Sequence, residues 1–382
     1  MRCCYKKRTV SILAPFIERA IIPVYLPILY NIGMTKIKVG INGLGRIGRA
    51  FLKLALNRPE LEITAVNDLG NAENLAYLLK YDTVYGKSGL KAEANSDSLF
   101  VNGNKIAFLQ EKDPAKIPWG SHGVDVVIES TGFFESFEKA RGHLAGGAKR
   151  VVISAPFKGA RSQTDADLTQ TDAEGATILM GVNEGKLQTC KISSNGSCTT
   201  NAGSPVMAIL NESLGIEKAI LNTVHAYTAT QKIVDGPDAG DFRRGRAGAQ
   251  NIAPSTTGAA IAVTKALTEL EGKFDGIAIR VPVVAGSIAD ITFVASRETS
   301  VEEVNDILRK AAEEDRWKHI FTVTDEPLVS SDIIGETHAS IVDLSLTKVV
   351  EGNLVKVLAW YDNETGYANT LVEHAVKAGE YL

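Results

Sequence analysis

The sequence predicts an α/β protein with an N-terminal Rossmann-type domain on a parallel sheet and a second, α+β domain with a mixed sheet. Three observations predict this fold class. Short apolar runs alternate with segments of helical periodicity up to about residue 154. A glycine-rich turn follows the first apolar run. Long β-rich stretches replace the alternation after about residue 190, and 382 residues suffice for two domains.

In the first part, strands and helices are expected to alternate. We predict strands at 37–41, 61–66, 124–129 and 150–154, and helices at 47–57, 75–79 and 136–144. Strands joined through helices pair in parallel, so the sheet should carry helices on both faces.

In the second part, strands are longer and helices are fewer. We predict strands at 219–227, 276–284, 287–294 and 354–360, and helices at 206–214, 257–270, 301–314 and 367–378. The polar, acidic segment 163–174 is predicted to be a surface loop.

Charge and cysteine content limit the possible partners. With 41 basic and 45 acidic residues the formal net charge is -4, which offers nucleic acid or an anionic membrane no overall attraction. We therefore expect neither as a partner. The four cysteines form neither a disulfide framework nor a CxxC metal pair, which favours a reducing compartment, the cytoplasm, and no bound metal.

The first 33 residues differ from the rest. Five basic residues precede or flank an apolar run at 20–30 that is interrupted by Pro23 and Pro27 and is shorter than the ~18 to 20 residues of a membrane span. No signal-peptide cleavage site is evident. We predict that Met34 is the true start and that 1–33 is an untranslated or disordered extension. A flexible arm and an atypical targeting segment are the alternatives.

A dinucleotide site is predicted at the first glycine-rich turn. Gly43, Gly45 and Gly48 form GxGxxG between a predicted strand and a predicted helix, where backbone amides and the helix N-terminus attract a pyrophosphate. Asp68, twenty residues on, ends the second strand and can accept hydrogen bonds from ribose hydroxyls. Its charge would repel a 2′-phosphate, so NAD is favoured and NADP remains an alternative.

Cys198 is the candidate nucleophile. It lies among small polar residues at the predicted start of a helix, a position that stabilises a thiolate, as a nearby imidazolium also would. Pro205 implies a kink or a later helix start. His225 ends a strand and precedes hydroxyl residues, which suits a general base.

The other histidines show weaker signals. His122, His143, His319 and His374 are expected in loop-like or helical surface positions, whereas His338 cannot be assigned from the sequence.

From residue 34 to 382 the chain resembles the phosphorylating glyceraldehyde-3-phosphate dehydrogenases. The resemblance is carried by INGLGRIGR at 41–49, LLKYDTVYG at 78–86, ESTGFF at 129–134, GGAKRVVISAP at 146–156, SCTTN at 197–201, HAYTATQKIVDGP at 225–237, RRGRAGAQNIAPSTTGAA at 243–260, IAIRVPV at 277–283 and WYDNETGYA at 360–368. SCTTN followed by HAYTATQK at this separation is highly specific.

The resemblance implies a mechanism and a set of site residues. Cys198 would attack the aldehyde of glyceraldehyde 3-phosphate with His225 as base, and inorganic phosphate would release the acyl group as 1,3-bisphosphoglycerate. Matching positions for the substrate phosphate are Thr228 and Arg280, and those for the attacking phosphate are Ser197, Thr199, Thr257 and Gly258. Matching cofactor positions are Arg46, Ile47, Asp68, Lys112, Ser154 and Asn363.

It also implies an organisation for the chain. Residues 34–197 would form the dinucleotide-binding domain, 198–364 the catalytic domain, and helix 365–382 would pack back on the first domain. Such proteins are usually homotetramers.

The chain departs from the family pattern at several places. Ala202 replaces the usual second cysteine, Thr365 replaces an aromatic residue, and the segment 157–177 is longer than is typical. Leu69, Gly70 and Asn71 after Asp68 match neither cofactor class, which leaves the cofactor preference open. Erythrose-4-phosphate dehydrogenase and a non-enzymatic binding protein on the same fold remain the alternatives.

Overall fold

The strands and helices come from a computed structural model that describes residues 36–157 and 175–382. The predicted extension 1–33 and loop 163–174 lie outside these residues. The first group of strands is β1 Ile37–Asn42, β2 Leu61–Asn67, β3 Tyr81–Asp82, β4 Gly86–Lys87, β5 Ala92–Ala94, β6 Ser98–Val101, β7 Asn104–Leu109, β8 Val126–Glu129, β9 Arg150–Ile153, β10 Gly175–Thr177 and β11 Ile192–Ser194. The accompanying α-helices are α1 Arg46–Ala55, α2 Ala72–Lys80 and α3 Phe137–Ala145.

The remaining elements follow residue 197. The strands are β12 Ile216–Ala226, β13 Ala253–Thr256, β14 Phe274–Val281, β15 Ser287–Ala295, β16 Phe321–Thr324, β17 Ser340–Asp343, β18 Lys348–Val350 and β19 Leu354–Tyr361. The α-helices are α4 Cys198–Leu214, α5 Ala259–Ala266, α6 Val301–Ala312 and α7 Thr365–Gly379. Short 3-10 helices are found at Pro114–Lys116, Trp119–His122, Glu184–Gln188, Thr268–Leu270, Ser330–Ile333 and Leu344–Leu346.

The first sheet confirms the predicted Rossmann-type class. Its described strands run in the order β10-β11-β9-β8-β1-β2-β7-β6-β5, and the neighbours from β10 to β7 are parallel. At the far edge β5, β6 and β7 are antiparallel. The sequence did not predict this edge, because its strands are short and half-polar.

The second sheet is mixed, as predicted. Its described strands run in the order β13-β14-β12-β15-β19-β17-β16, with β18 beside β19. Strand β12 pairs in parallel with β14 and antiparallel with β15, and β15 pairs antiparallel with β19. Strands β12, β14 and β19 therefore bring His225, Arg280 and Asn363 to the same region of the sheet.

Helix α4 packs between this sheet and the neighbouring helices α5 and α6. Thirteen of its seventeen residues are buried, including Val206, Ile209 and Leu210, so hydrophobic burial rather than intrinsic propensity holds it. The helix starts at Cys198 and continues through Pro205, so a later start is excluded.

The C-terminal helix α7 packs on α1, and Arg58 of the first part forms an ion pair with Glu373. Arg150 holds the chain end, because its guanidinium donates to the backbone oxygens of Leu187, Cys190 and Tyr381. The division into domains at residue 197 stays a prediction, since Lys36–Leu382 forms one compact unit.

Two further findings concern membrane spans and metal sites. In the described ranges, no helix is long and apolar enough to cross a membrane. The same residues contain no group of three or more His, Cys, Asp or Glu arranged to hold a metal ion.

Candidate active site

The glycine-rich turn joins β1 to α1. Two of its glycines are sterically required, and the third faces open space. Gly43 has a φ of +94°, which side chains rarely adopt. A Cβ on Gly48 would lie 2.0 Å from the carbonyl oxygen of Gly43, so the helix packs directly on the turn. A Cβ on Gly45 would meet nothing within 4 Å, and no side chain caps the helix there. The turn therefore offers open space beside a helix N-terminus that suits an anion.

A cleft of about 890 Å³ opens beside this turn. Asp68 lines it, and its two carboxylate oxygens accept the backbone N–H groups of Leu44 and Gly70, both at 2.7 Å. The carboxylate is therefore held in one orientation. Leu69 and Phe133 line the cleft as exposed apolar side chains, and Lys112 adds a cation. An open glycine turn, a fixed carboxylate and apolar walls fit a dinucleotide.

Four other predicted cofactor residues with side chains are not among those that line this cleft: Arg46, Ile47, Ser154 and Asn363. Arg46 turns toward the C-terminal segment, where it pairs with Asp82 at 3.1 Å and Glu364 at 2.5 Å. Ile47 packs against the hydrophobic core. Both residues begin α1, so their backbone N–H groups lie at the helix N-terminus. Ser154 follows β9, and its N–H donates to the carbonyl of Glu129 at 2.9 Å.

Cys198 is the first residue of α4. Ser197 caps the helix by accepting the N–H of Thr200 at 3.0 Å, and its own N–H donates to the Thr200 hydroxyl at 3.2 Å. This reciprocal capping box stabilises the helix start. Gly196 precedes it with a φ of +65°. Cys198 as a whole residue is partly exposed.

The C-terminal helix supports the segment that leads to Cys198. His374 lies between Ser193, at 2.8 Å from Nε2, and the Asn195 side-chain oxygen, at 3.0 Å from Nδ1. The Tyr367 hydroxyl donates to the carbonyl of Gly196 at 2.9 Å. Residues far apart in sequence thus position the turn before the nucleophile.

His225 faces the thiol. Its Nε2 lies 3.2 Å from Cys198 Sγ, which is within hydrogen-bond distance for sulfur. Its Nδ1 lies 2.6 Å from the Ala226 carbonyl oxygen and 2.7 Å from Nη1 of Arg280, which also donates to that oxygen at 3.1 Å. Strand pairing explains the contact, because His225 and Arg280 are partners in the β12–β14 register.

The electrostatics of the pair differ from what the sequence suggested. Burial, followed by the Arg280 cation, lowers the pKa of His225 to about 3. Burial raises the pKa of the Cys198 thiol, although Arg280 and hydrogen bonds from Thr199 act in the opposite direction. Both shifts favour a neutral thiol beside a neutral imidazole in the free protein. The thiolate expected from the helix start therefore stays a prediction.

The predicted phosphate-site residues lie on four segments, one of which is β14 with Arg280. Thr199 follows Cys198, and its hydroxyl lies 2.9 Å from the Tyr361 hydroxyl. The Thr228 hydroxyl lies 2.9 Å from that of Thr230, just after β12. Thr257 and Gly258 precede α5, a helix that packs against α4, and the Thr257 hydroxyl accepts the N–H of Ala259 at 3.2 Å.

Sequence reasoning missed two residues beside the pair. Tyr361 is fully buried, its hydroxyl also lies 2.7 Å from that of Thr223, and its ring packs edge-on to His225. Ser287 accepts the N–H of Ala226 and donates to the side-chain oxygen of Asn363, both at 3.1 Å. Tyr361 stands inside WYDNETGYA, which could have drawn attention to it. Ser287 carries no local signal.

Two histidines were predicted at the surface and are not. His143 and His374 are both fully buried. His143 accepts the Trp119 indole N–H at 3.0 Å, and its Nε2 lies 3.0 Å from Glu129. The polar sequence around each histidine concealed these buried partners.

Comparison with known proteins gives consistent matches. Two sequence models of one family match, described as "Glyceraldehyde 3-phosphate dehydrogenase, NAD binding domain" over residues 37–137 and "Glyceraldehyde 3-phosphate dehydrogenase, C-terminal domain" over 197–363. The chain is similar to "Glyceraldehyde-3-phosphate dehydrogenase" of Streptomyces coelicolor, at 47% identity over 91% of this chain and 99% of that protein. It is similar to "Glyceraldehyde-3-phosphate dehydrogenase 1" of Bacillus subtilis, at 47% identity over 89% and 97%, and to the protein of that name from Kluyveromyces lactis, at 44% over 88% and 98%.

Proposed function

The chain belongs to the glyceraldehyde 3-phosphate dehydrogenase family, and from this premise we propose that it converts D-glyceraldehyde 3-phosphate and inorganic phosphate to 1,3-bisphosphoglycerate with reduction of NAD. The observation that carries the proposal is the 3.2 Å contact between Cys198 Sγ and His225 Nε2. A thiol within reach of a base, on a chain that also carries a cleft suited to a dinucleotide, is what thioester-forming aldehyde oxidation requires.

The first step forms a covalent intermediate on the thiol. His225 Nε2 takes the proton of Cys198 as Sγ attacks the aldehyde carbon, giving a thiohemiacetal. The imidazolium so formed and the backbone N–H of Cys198 stabilise the developing oxyanion. To accept that proton, Nε2 must be free, so Nδ1 carries the ring hydrogen and donates it to the Ala226 carbonyl at 2.6 Å. Arg280 Nη1 then donates to that carbonyl, at 3.1 Å, and not to Nδ1.

The second step oxidises the thiohemiacetal to a thioester on Sγ. The imidazolium first returns its proton to the oxyanion, which makes the thiohemiacetal hydroxyl, and neutral His225 then removes that proton during oxidation. When bound, NAD would supply the hydride acceptor. Inorganic phosphate then attacks the acyl carbon, the bond to Sγ breaks, and the acyl phosphate leaves. The thiolate recovers its proton, and the energy of oxidation is conserved in the acyl phosphate.

Arg280 and the hydroxyl residues supply anion contacts in this mechanism. Arg280 and Thr228 bind the substrate phosphate, and Ser197, Thr199, Thr257 and Gly258 bind the attacking phosphate. Their chemistry supports this assignment, since a guanidinium fork, hydroxyls and backbone amides are the groups that hold phosphate oxygens.

Cofactor contacts are assigned on the same basis. Gly43, Gly45 and Gly48 admit the pyrophosphate to the backbone amides of Arg46 and Ile47, while Lys112 and Ser154 contribute further polar contacts. Asn363 holds the nicotinamide carboxamide. Asp68 binds the ribose hydroxyls and selects NAD over NADP, a preference supported by the two backbone N–H groups that hold its carboxylate in place.

The active form is proposed to be a cytoplasmic homotetramer with a dinucleotide-binding domain at 34–197 and a catalytic domain at 198–364. Exposed apolar side chains support self-association. Ile233, Phe242 and Ile252 are 90%, 86% and 72% exposed in the single chain. All three lie in the segment between β12 and β13.

The experiment that tests the function measures NADH formation from glyceraldehyde 3-phosphate with and without inorganic phosphate. Cys198→Ser should lower kcat at least about a thousandfold, since it removes the nucleophile. Cys190→Ala is the matched control, because Cys190 is a buried free cysteine away from His225. Absence of phosphate-dependent NADH formation by the wild type, or full activity of Cys198→Ser, would refute the proposal. Preferential oxidation of erythrose 4-phosphate without phosphate would favour the alternative.

A further inference from the structure

We propose that Ser287 is a positioning residue for the cofactor: its hydroxyl sets the orientation of the Asn363 carboxamide and joins that side chain to the backbone beside His225. This inference rests on the proposed function, in which Asn363 holds the nicotinamide carboxamide. Ser287 itself touches no reacting atom.

The position of Ser287 follows from the second sheet. Strand β15 lies between β12 and β19, and Ser287, its first residue, is paired with Tyr361. The next residue, Ile288, is paired with Val224 of β12. Ser287 is therefore flanked by the end of the strand that carries His225 and by the end of the strand that leads to Asn363.

The backbone before Ser287 leaves little freedom. Gly286 has a φ of +85°, and a Cβ there would lie 2.2 Å from the carbonyl oxygen of Ser330. Ser287 is 1% exposed. Its hydroxyl is thus presented to its neighbours from a buried, sterically restricted site.

The hydrogen bonds of Ser287 determine which end of the Asn363 amide is occupied. The Ala226 N–H can only donate, so the Ser287 oxygen accepts it, at 3.1 Å. The single Ser287 hydroxyl hydrogen then needs an acceptor, and Asn363 Oδ1 lies 3.1 Å away. This arrangement assigns Oδ1 to Ser287 and leaves the two Nδ2 hydrogens as the donors that Asn363 can offer to a carboxamide oxygen.

The turn that carries Asn363 is held independently of Ser287. The Asp362 carboxylate accepts the Tyr85 hydroxyl at 2.9 Å and the N–H groups of Gly335 and Glu364, both at 2.8 Å. Loss of the Ser287 hydroxyl should therefore free the amide of Asn363 to rotate without displacing the turn. An effect of this change on binding of the nicotinamide end of the cofactor can therefore be distinguished from general unfolding.

The test compares two ligands by calorimetric titration of the full chain. NAD carries the carboxamide, whereas ADP-ribose shares every other part of the molecule and lacks the nicotinamide ring. Ser287→Ala should weaken NAD binding roughly five- to tenfold, the size expected for one hydrogen bond, and should leave the dissociation constant of ADP-ribose unchanged within about twofold. Ser340→Ala is the matched control. Ser340 is a fully buried serine whose hydroxyl has no hydrogen-bond partner in the described part of the chain.

A double-mutant cycle tests whether Ser287 acts through Asn363. In an Asn363→Ala background, Ser287→Ala should have no further effect on NAD binding. Equal weakening of NAD and ADP-ribose, an unchanged NAD affinity, or an additive effect with Asn363→Ala would each overturn the proposal.

Ser287→Cys, which keeps the side-chain volume and weakens the donor, gives the same comparison if the alanine variant does not fold. Since binding is measured without turnover, these outcomes stay informative even if the proposed oxidation of glyceraldehyde 3-phosphate is wrong.

Discussion

Replacing Arg280 with glutamine tests whether its charge keeps His225 neutral in the free protein. Nη1 of Arg280 lies 2.7 Å from Nδ1 of His225. The pKa of His225 is lowered from 6.5 to about 3, with burial as the largest cause and the Arg280 cation second. Removing the cation should raise this pKa, because the imidazolium would no longer face a like charge.

The expected rise in the pKa of His225 can be bounded in two ways. Two unit charges about 4 Å apart at an effective dielectric constant of about 20 interact by about 4 kcal/mol, equivalent to about three pH units. Burial is the larger of the two causes that lower the pKa of His225, by roughly 3.5 pH units in all, so Arg280 accounts for the smaller share of the lowering. We therefore expect Arg280→Gln to raise the pKa of His225 by about one to one and a half pH units.

The assay is an NMR titration of histidine-labelled protein in a Cys198→Ser background, which removes the coupled titration of the thiol. Arg280→Lys keeps a positive charge and should leave the pKa of His225 low. Arg297→Gln removes a surface arginine paired with Glu303 and should have no effect.

Two results would refute the reasoning. One is that His225 titrates at the same pH in Arg280→Gln as in the parent protein. The other is that its pKa shifts equally in the glutamine and lysine variants. If the prediction holds, a substrate phosphate bound to Arg280 should likewise raise the proton affinity of His225. Substrate binding would then make His225 a stronger base.

Two further predictions concern the cofactor cleft and the C-terminal helix. Asp68→Asn should weaken NAD binding about tenfold or more and raise the NADP-to-NAD affinity ratio, because a charged acceptor is lost. Equilibrium titration of both dinucleotides measures this ratio. Asp113→Asn, which removes another carboxylate of the cleft, should leave the ratio unchanged. Burial lowers the pKa of His374 from 6.5 to about 3. As the pH falls below 6.5, His374 therefore binds a proton in the unfolded chain but not in the folded one, and folding stability is lost down to about pH 3. His374→Gln should therefore remove about 3 kcal/mol of the stability lost between about pH 7 and pH 4, measured by urea unfolding; an unchanged pH slope would contradict it.

Local sequence was sufficient for the dinucleotide cleft. Gly43, Gly48 and Asp68 lie within one βαβ unit, and the backbone geometry that each requires depends on near neighbours. Their predicted places in the structure are therefore confirmed, while their roles toward the cofactor stay predictions. The long strands and helices were predicted for the same reason, since periodicity is a local property.

Long-range contacts explain the errors. Arg46 stays a predicted cofactor residue through its backbone, but the pairing of its side chain with Glu364, 318 residues away, was not foreseen. His374 was assigned to the surface, yet it bonds Ser193, 181 residues away. No window of sequence contains both members of such a pair, so periodicity and composition could not find them.

By itself, the sequence determined the fold class, the glycine turn, and the candidacy of Cys198 and His225, because each depends on residue type and near neighbours. Only the tertiary structure decided the protonation of that pair and the place of Ser287 beside Asn363. Burial raises the pKa of the thiol and lowers that of the imidazole, while the Arg280 charge lowers both, and these effects are summed over groups from several strands. Strand pairing, which the chain sets only when folded, brings Ser287 to both partners.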